Sequence, residues 1–115
     1  ENQVNNSLGF PGIFRGALDV RARTITDEMC FAAAQALADH AGANISPNHV
    51  LPNMDDWEIF PREAAAVAMK AQEQGLARVK ITYEEEFKNA TGIIQRSRNL
   101  TQMMMQDGFI PAPPV

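Results

Sequence analysis

Two stretches of the chain carry alanine at helical spacing, and they restrict the folds open to it more than any other feature. In "EMCFAAAQALADHAG", Cys30, Ala33, Ala34, Leu37 and Ala41 fall at i, i+3, i+4, i+7 and i+11. In "REAAAVAMKAQEQG", Ala64, Val67, Ala68 and Ala71 do the same. A 3.6-residue period marks one apolar helix face. Methyl-sized side chains fill little space, so such a face must be approached closely by a neighbouring element.

The signals around these stripes divide the chain into about four helices. Pro11 suits the start of a first helix, where its missing N–H is not needed. Ile13, Phe14, Ala17 and Leu18 give that helix an apolar face, and it ends around Val20 to Arg23. Thr26 can cap the second helix, with Asp27 and Glu28 in the first turn, where the helix dipole favours anions. Gly42 is its natural stop. A loop broken by Pro47, Pro52 and Pro61 follows, and Pro61 opens the third helix, which Gly75 ends. The brief "ARVKI" reads as a short strand or an extended link. Thr82 and Glu85 fit the S/T-x-x-E capping box, the clearest start signal in the chain. The fourth helix runs from Tyr83 to about Gln106, roughly 35 Å at ~1.5 Å per residue. Phe87, Ala90, Ile94, Ser97, Thr101 and Met104 trace one side of it. That side is only partly apolar, so the helix needs packing partners. The tail "GFIPAPPV" reads as extended. The predicted fold class is mainly α, either a small bundle or the outer helices of a larger domain.

Composition sets the outer limits. At 115 residues, with 45% hydrophobic and 21% charged, the chain suits one domain or part of one. A net charge of -4 leaves no broad basic surface for phosphates, which argues against nucleic acid as a partner. The apolar stretches are too short for a membrane span. Cys30 is the sole cysteine, so an intramolecular disulfide and a thiolate metal cluster are both excluded. One free thiol fits a reducing cytoplasm.

Among candidate site residues, Asn5 and Asn6 lead. A primary amide offers a donor and an acceptor without adding charge, and can bind a carboxylate or a carboxamide. Adjacent amides at a Gly-rich turn can form the polar wall of a small-ligand site. They are equally turn-formers, and that is the plainer reading of the residues alone. Arg15 and Asp19, four apart, read as an ion pair worth ~0.3–0.5 kcal/mol. His40 and His49 lack metal-pair spacing. Asp55, Asp56 and Glu58 flank Trp57 as a solvated acidic turn, Cys30 reads as core, and Met103 to Met105 as packing or interface residues. No pyrophosphate or P-loop glycine motif and no nucleophile–base set is present.

The opening stretch resembles a known family. "NQVNNSLGFPGIFRGALDVRARTITDEMCFAAAQALA" is similar to the NAD-binding domain of malic enzymes, most closely the shorter bacterial and archaeal type. There an Asn-Gln-hydrophobic-Asn-Asn segment leads into L-G-F-P-x-I-F-R-G-A-L-D and then a T-I-[NT]-x-E-M helix start. The likeness is specific over Asn2 to about Ala38 and looser through "PREAAAVAMKAQEQGLAR". It implies oxidative decarboxylation of malate to pyruvate and CO2 with NAD or NADP and a divalent cation, Mg or Mn. It implies that Asn5 and Asn6 contact the malate carboxylate and the nicotinamide region. The family's catalytic lysine and tyrosine, its metal carboxylates and its Gly-rich dinucleotide loop have no counterpart here. The chain therefore reads as a C-terminal fragment, with no catalytic or metal-binding residue of its own and no cofactor bound by itself. On this reading residues 1–81 are the C-terminal portion of an α/β Rossmann-type NAD(P)-binding domain. Residues 82–115 are a long helix and a Pro-rich tail. The implied partners are malate or pyruvate, the rest of the subunit and a second copy in a homo-oligomer. A helical assembly module without catalysis of its own is the alternative.

Overall fold

The computed structural model describes residues 6–42, 45–53 and 55–114. A single 3-10 turn over Asn6–Leu8 leads into four α-helices: α1 Phe10–Asp19, α2 Asp27–Ala41, α3 Ile59–Glu73 and α4 Tyr83–Gln106. No strand forms among the described residues. Both threonine caps operate: Thr26 Oγ1 accepts from Met29 N at 3.2 Å, and Thr82 Oγ1 accepts from Glu85 N at 3.1 Å. The helix stop at Gly75 takes a left-handed φ of 71°, which favours glycine.

Helix α3 is the hub, and α1, α2 and α4 all lie against it. Its Ala64, Val67, Ala68 and Ala71 are fully buried, as the stripe predicts. The core joins Val67, Ala68 and Ala71 to Ile13 and Ala17 of α1, Val20, and Met29 and Ala33 of α2. Pro61 lies inside the first turn of α3, two residues after its start, where no intrahelical N–H bond is lost.

Three faces differ from the sequence expectation. On α1, Ile13 and Ala17 are buried, but Phe14 and Leu18 are 50% and 64% exposed. The cause is Gly12 and Gly16, which are both buried and face α3. A Cβ on Gly12 would stand 2.5 Å from Cβ of Glu63, and one on Gly16 would stand 2.9 Å from Cβ of Val67. The closest approach follows the bare backbone, which turns Phe14 and Leu18 to the flank. On α2 the buried row is Met29, Ala33 and Ala41, with Cys30 and Leu37 half-buried and Ala34 exposed. On α4 only Glu86 and Ala90 are buried. Phe87 and Ile94 are half-buried, and Ser97 and Thr101 are exposed.

The "ARVKI" segment is an extended link. Arg78 N and Val79 N both donate to the Val20 carbonyl, at 2.9 and 3.1 Å. The Gln72 side chain then clamps Ile81, donating to its carbonyl at 2.9 Å and accepting from its N–H at 3.0 Å. These bonds fix where α4 begins.

Gly16→Ala forces a methyl into the α1–α3 contact. It should cost about 1–3 kcal/mol, the range for overpacking a filled core. Urea denaturation checks this; a loss below a few tenths would show the contact to be loose.

Candidate functional site

The candidate site begins at the 3-10 turn. Asn5 lies outside the described residues. Asn6 is exposed, and its carbonyl accepts from Gly9 N at 3.1 Å. Leu8 is buried beneath the turn and anchors it. The turn therefore holds Asn6 at the rim of a groove of about 300 Å³ whose walls include Phe10, Ile13, Leu37, Val50 and Leu51. An exposed segment beside an otherwise apolar cleft suits a small ligand with one polar end.

Behind α1 lies a partly buried polar cluster. Arg15 donates to Asp19 Oδ1 at 2.6 Å, the i,i+4 pair expected from spacing. Asn89 of α4 donates to Asp19 Oδ2 at 3.2 Å. Glu86 stands one turn away on α4, fully buried, with neither oxygen partnered among the described residues. Burial, and then the adjacent Asp19 carboxylate, push its pKa up to about 8. Glu63 of α3 lies against Gly12, is also fully buried and unpartnered, and burial pushes it up to about 8. Both are neutral acids at pH 7.

Sequence reasoning missed Glu63, Glu86 and Asn89. The signal lay in the stripes: Glu63 continues Val67 and Ala71 at i, i+4 and i+8, and Glu86 continues Ala90 and Ile94. It also missed a partner for His40, whose Nε2 lies 2.6 Å from Asp56 Oδ2, tying the 55–58 turn to the end of α2. His49 pairs through its backbone with Ser46. Among the described residues no three His, Cys, Asp or Glu side chains gather to hold a metal ion. Among the same residues no helix is long and apolar enough to cross a membrane.

Comparison with known proteins decides the family. Residues 1–72 match the family model described as malic enzyme, NAD binding domain. The chain belongs to the malic enzyme family. It is 45% identical over 101 residues to the bifunctional malic/malolactic enzyme of Bacillus subtilis, covering 87% of this chain and 23% of that protein. It is 42% identical over 106 residues to a probable NADP-dependent malic enzyme of Rickettsia prowazekii, covering 79% of this chain and 14% of that protein. The crystal structure of Entamoeba histolytica malic enzyme superposes with a TM-score of 0.93 and 46% identity, over 98% of this chain and 24% of that one. The chain thus spans about a quarter or less of the malic enzymes it matches, and its residues 1–72 match the NAD-binding domain of that family.

The two buried acids set a pH dependence. Each has a folded pKa near 8 against an ordinary value of 4.5, so the unfolded state releases its proton first as pH rises. Their contribution to stability is complete below pH 4.5, is lost between 4.5 and about 8, and levels off above. Denaturation midpoints should fall from pH 5 to 8, and Glu63→Gln with Glu86→Gln should flatten that slope. An unchanged slope in the double variant would mean that both acids are ionised when folded.

Proposed function

We propose that the chain is part of an NAD(P)-dependent malic enzyme that oxidatively decarboxylates malate to pyruvate and CO2. In this reading Asn5 and Asn6 bind substrate and cofactor. The observation that carries it is the family match over residues 1–72, whose opening segment holds both asparagines. The exposed Asn6 at the rim of an apolar groove supports it. Neutral amides orient a dianionic substrate without adding charge, while a divalent cation, Mg or Mn, held by other parts of the enzyme offsets the substrate's charge. The described residues offer that cation no ligand cluster, so no step is assigned to it here.

The same reading assigns residues 1–81 to an α/β Rossmann-type domain and 82–115 to a long helix and a Pro-rich tail. It makes the enzyme a cytoplasmic homo-oligomer, in which Cys30 stays reduced. The fragment alone would be inactive, because no catalytic group is assigned to it.

Asn5→Ala and Asn6→Ala, made in the complete enzyme, should raise the KM for malate, lower kcat, or both, with the fold intact. Loss of a hydrogen bond to a charged carboxylate is worth ~1.5–3 kcal/mol, about tenfold to a hundredfold in kcat/KM. Steady-state kinetics beside circular dichroism checks this; wild-type kinetics in both variants would remove the asparagines from the site.

A further inference from the structure

The first turn of α1 rests on a carboxyl. A Cβ on Gly12 would meet Cβ, Oε2 and Cδ of Glu63 first, at 2.5, 2.5 and 3.1 Å, so the acid lies flat along the bare backbone. Neither Glu63 oxygen is exposed, and neither has a hydrogen-bond partner among the described residues. An apolar side chain of similar length would fill this place without burying an unpaired polar group, so packing alone does not account for a carboxyl here. Residues elsewhere in a larger enzyme cannot supply the partner. With no surface open, both oxygens are out of reach of other residues, and of water, while α1 stays seated on α3.

Hydrogen bonds carry this seat to the candidate site. Ile13 N donates to the Gly9 carbonyl, and Gly9 N donates to the Asn6 carbonyl, both at 3.1 Å. Gly12 is thus one short relay from Asn6, with the buried Leu8 between them. The charged groups of the surrounding elements are committed elsewhere. Arg15 of α1 pairs with Asp19, and Glu86 of α4 stands beside that same Asp19. His40 of α2 lies against Asp56, and on α3 itself Lys70 pairs with Glu73 while Arg62 is exposed. Burial alone pushes Glu63 up to about 8.

We propose that Glu63 is a positioning residue for the asparagine turn: its neutral carboxyl seats the first turn of α1, its ionisation unseats that turn, and malate affinity is thereby coupled to one proton. The carboxylate reaches water only by parting Gly12 from α3, and a parted turn no longer holds Asn6 at the groove rim. Opening moves the acid from a pKa of about 8 to its ordinary value of 4.5, so it releases a proton between these limits. The ratio of open to seated turn then rises up to tenfold per pH unit in that window and levels off above it. Bound malate selects the seated form, so its apparent affinity falls with the seated fraction while turnover at saturation does not. The link to malate rests on the role proposed above for Asn6.

Hydrogen exchange of the full-length protein without malate, corrected for intrinsic rates, tests the seat. Protection of the peptide covering residues 6–13 should fall about tenfold per pH unit from 5 to 7.5. Glu63→Gln should remove this slope, and Glu63→Met serves if the buried amide prevents folding. Glu86→Gln should leave the slope in place, because Glu86 stands at the other end of α1. No slope in the wild type, a slope kept in both Glu63 variants, or an equal slope in the α2 peptide would each overturn the seat. In steady-state kinetics, the KM for malate should rise more steeply from pH 6 to 8 in the wild type than in Glu63→Gln, with the ratio of their kcat values constant. Equal KM profiles would overturn the coupling to substrate. An absence of malate turnover beside an intact proton-linked slope would sink the enzymatic reading and leave the seat standing.

Discussion

The contact that organises this molecule is the bare-backbone approach of α1 to α3. Gly12 and Gly16 stand one turn apart and offer α3 a surface with no side chains, onto which Glu63, Ala64 and Val67 close. Helix α1 has only ten residues, too few to be stable by itself in water. Its position is therefore set by this docking. The turn that carries Asn6 continues directly into α1 and is pinned by Leu8, so the orientation of the candidate site is inherited from two glycines of α1 itself.

The same closeness explains the composition of α3. A helix gripped on several sides has room only for small residues on its buried arc, and alanine combines small volume with the best helix propensity. Two buried carboxyls, Glu63 on α3 and Glu86 on α4, have no hydrogen-bond partner among the described residues. Burial keeps them protonated, which avoids the far larger cost of an unpaired buried charge. Glu86 also lies beside Asp19, so Arg15, Asp19, Asn89 and Glu86 form the polar joint where α4 meets α1. Beyond that joint residues 95–103 of α4 are exposed.

What could be read from the sequence was local chemistry. The caps at Thr26 and Thr82, the stop at Gly75, the alanine row of α3 and the Arg15–Asp19 pair all follow from residues within a few positions of one another. What could not be read was the direction from which neighbours arrive. Periodicity gave α1 a face containing Phe14 and Leu18, because glycine counts for nothing in an apolar stripe; yet glycine is where α3 comes closest. Ala34 looked buried because alanine fits either side of α2. Glu63 and Glu86 could not be picked out at all, since only tertiary contact distinguishes a neutral buried acid from a solvated one. For the site, Asn6 stands on an exposed turn at a groove rim, consistent with a ligand role, whereas Asn5 lies outside the described residues.

Family membership rests on residues 1–72, and the chemistry proposed for the whole enzyme follows from it. Its central claim is that the protein carrying this chain couples malate oxidation to decarboxylation. The most direct measurement is the product balance of the full-length protein supplied with malate, Mg or Mn, and NAD or NADP. The account predicts pyruvate, CO2 and reduced nicotinamide in equal amounts. Reduced nicotinamide formed without CO2, or no turnover of malate with either cofactor, would contradict it.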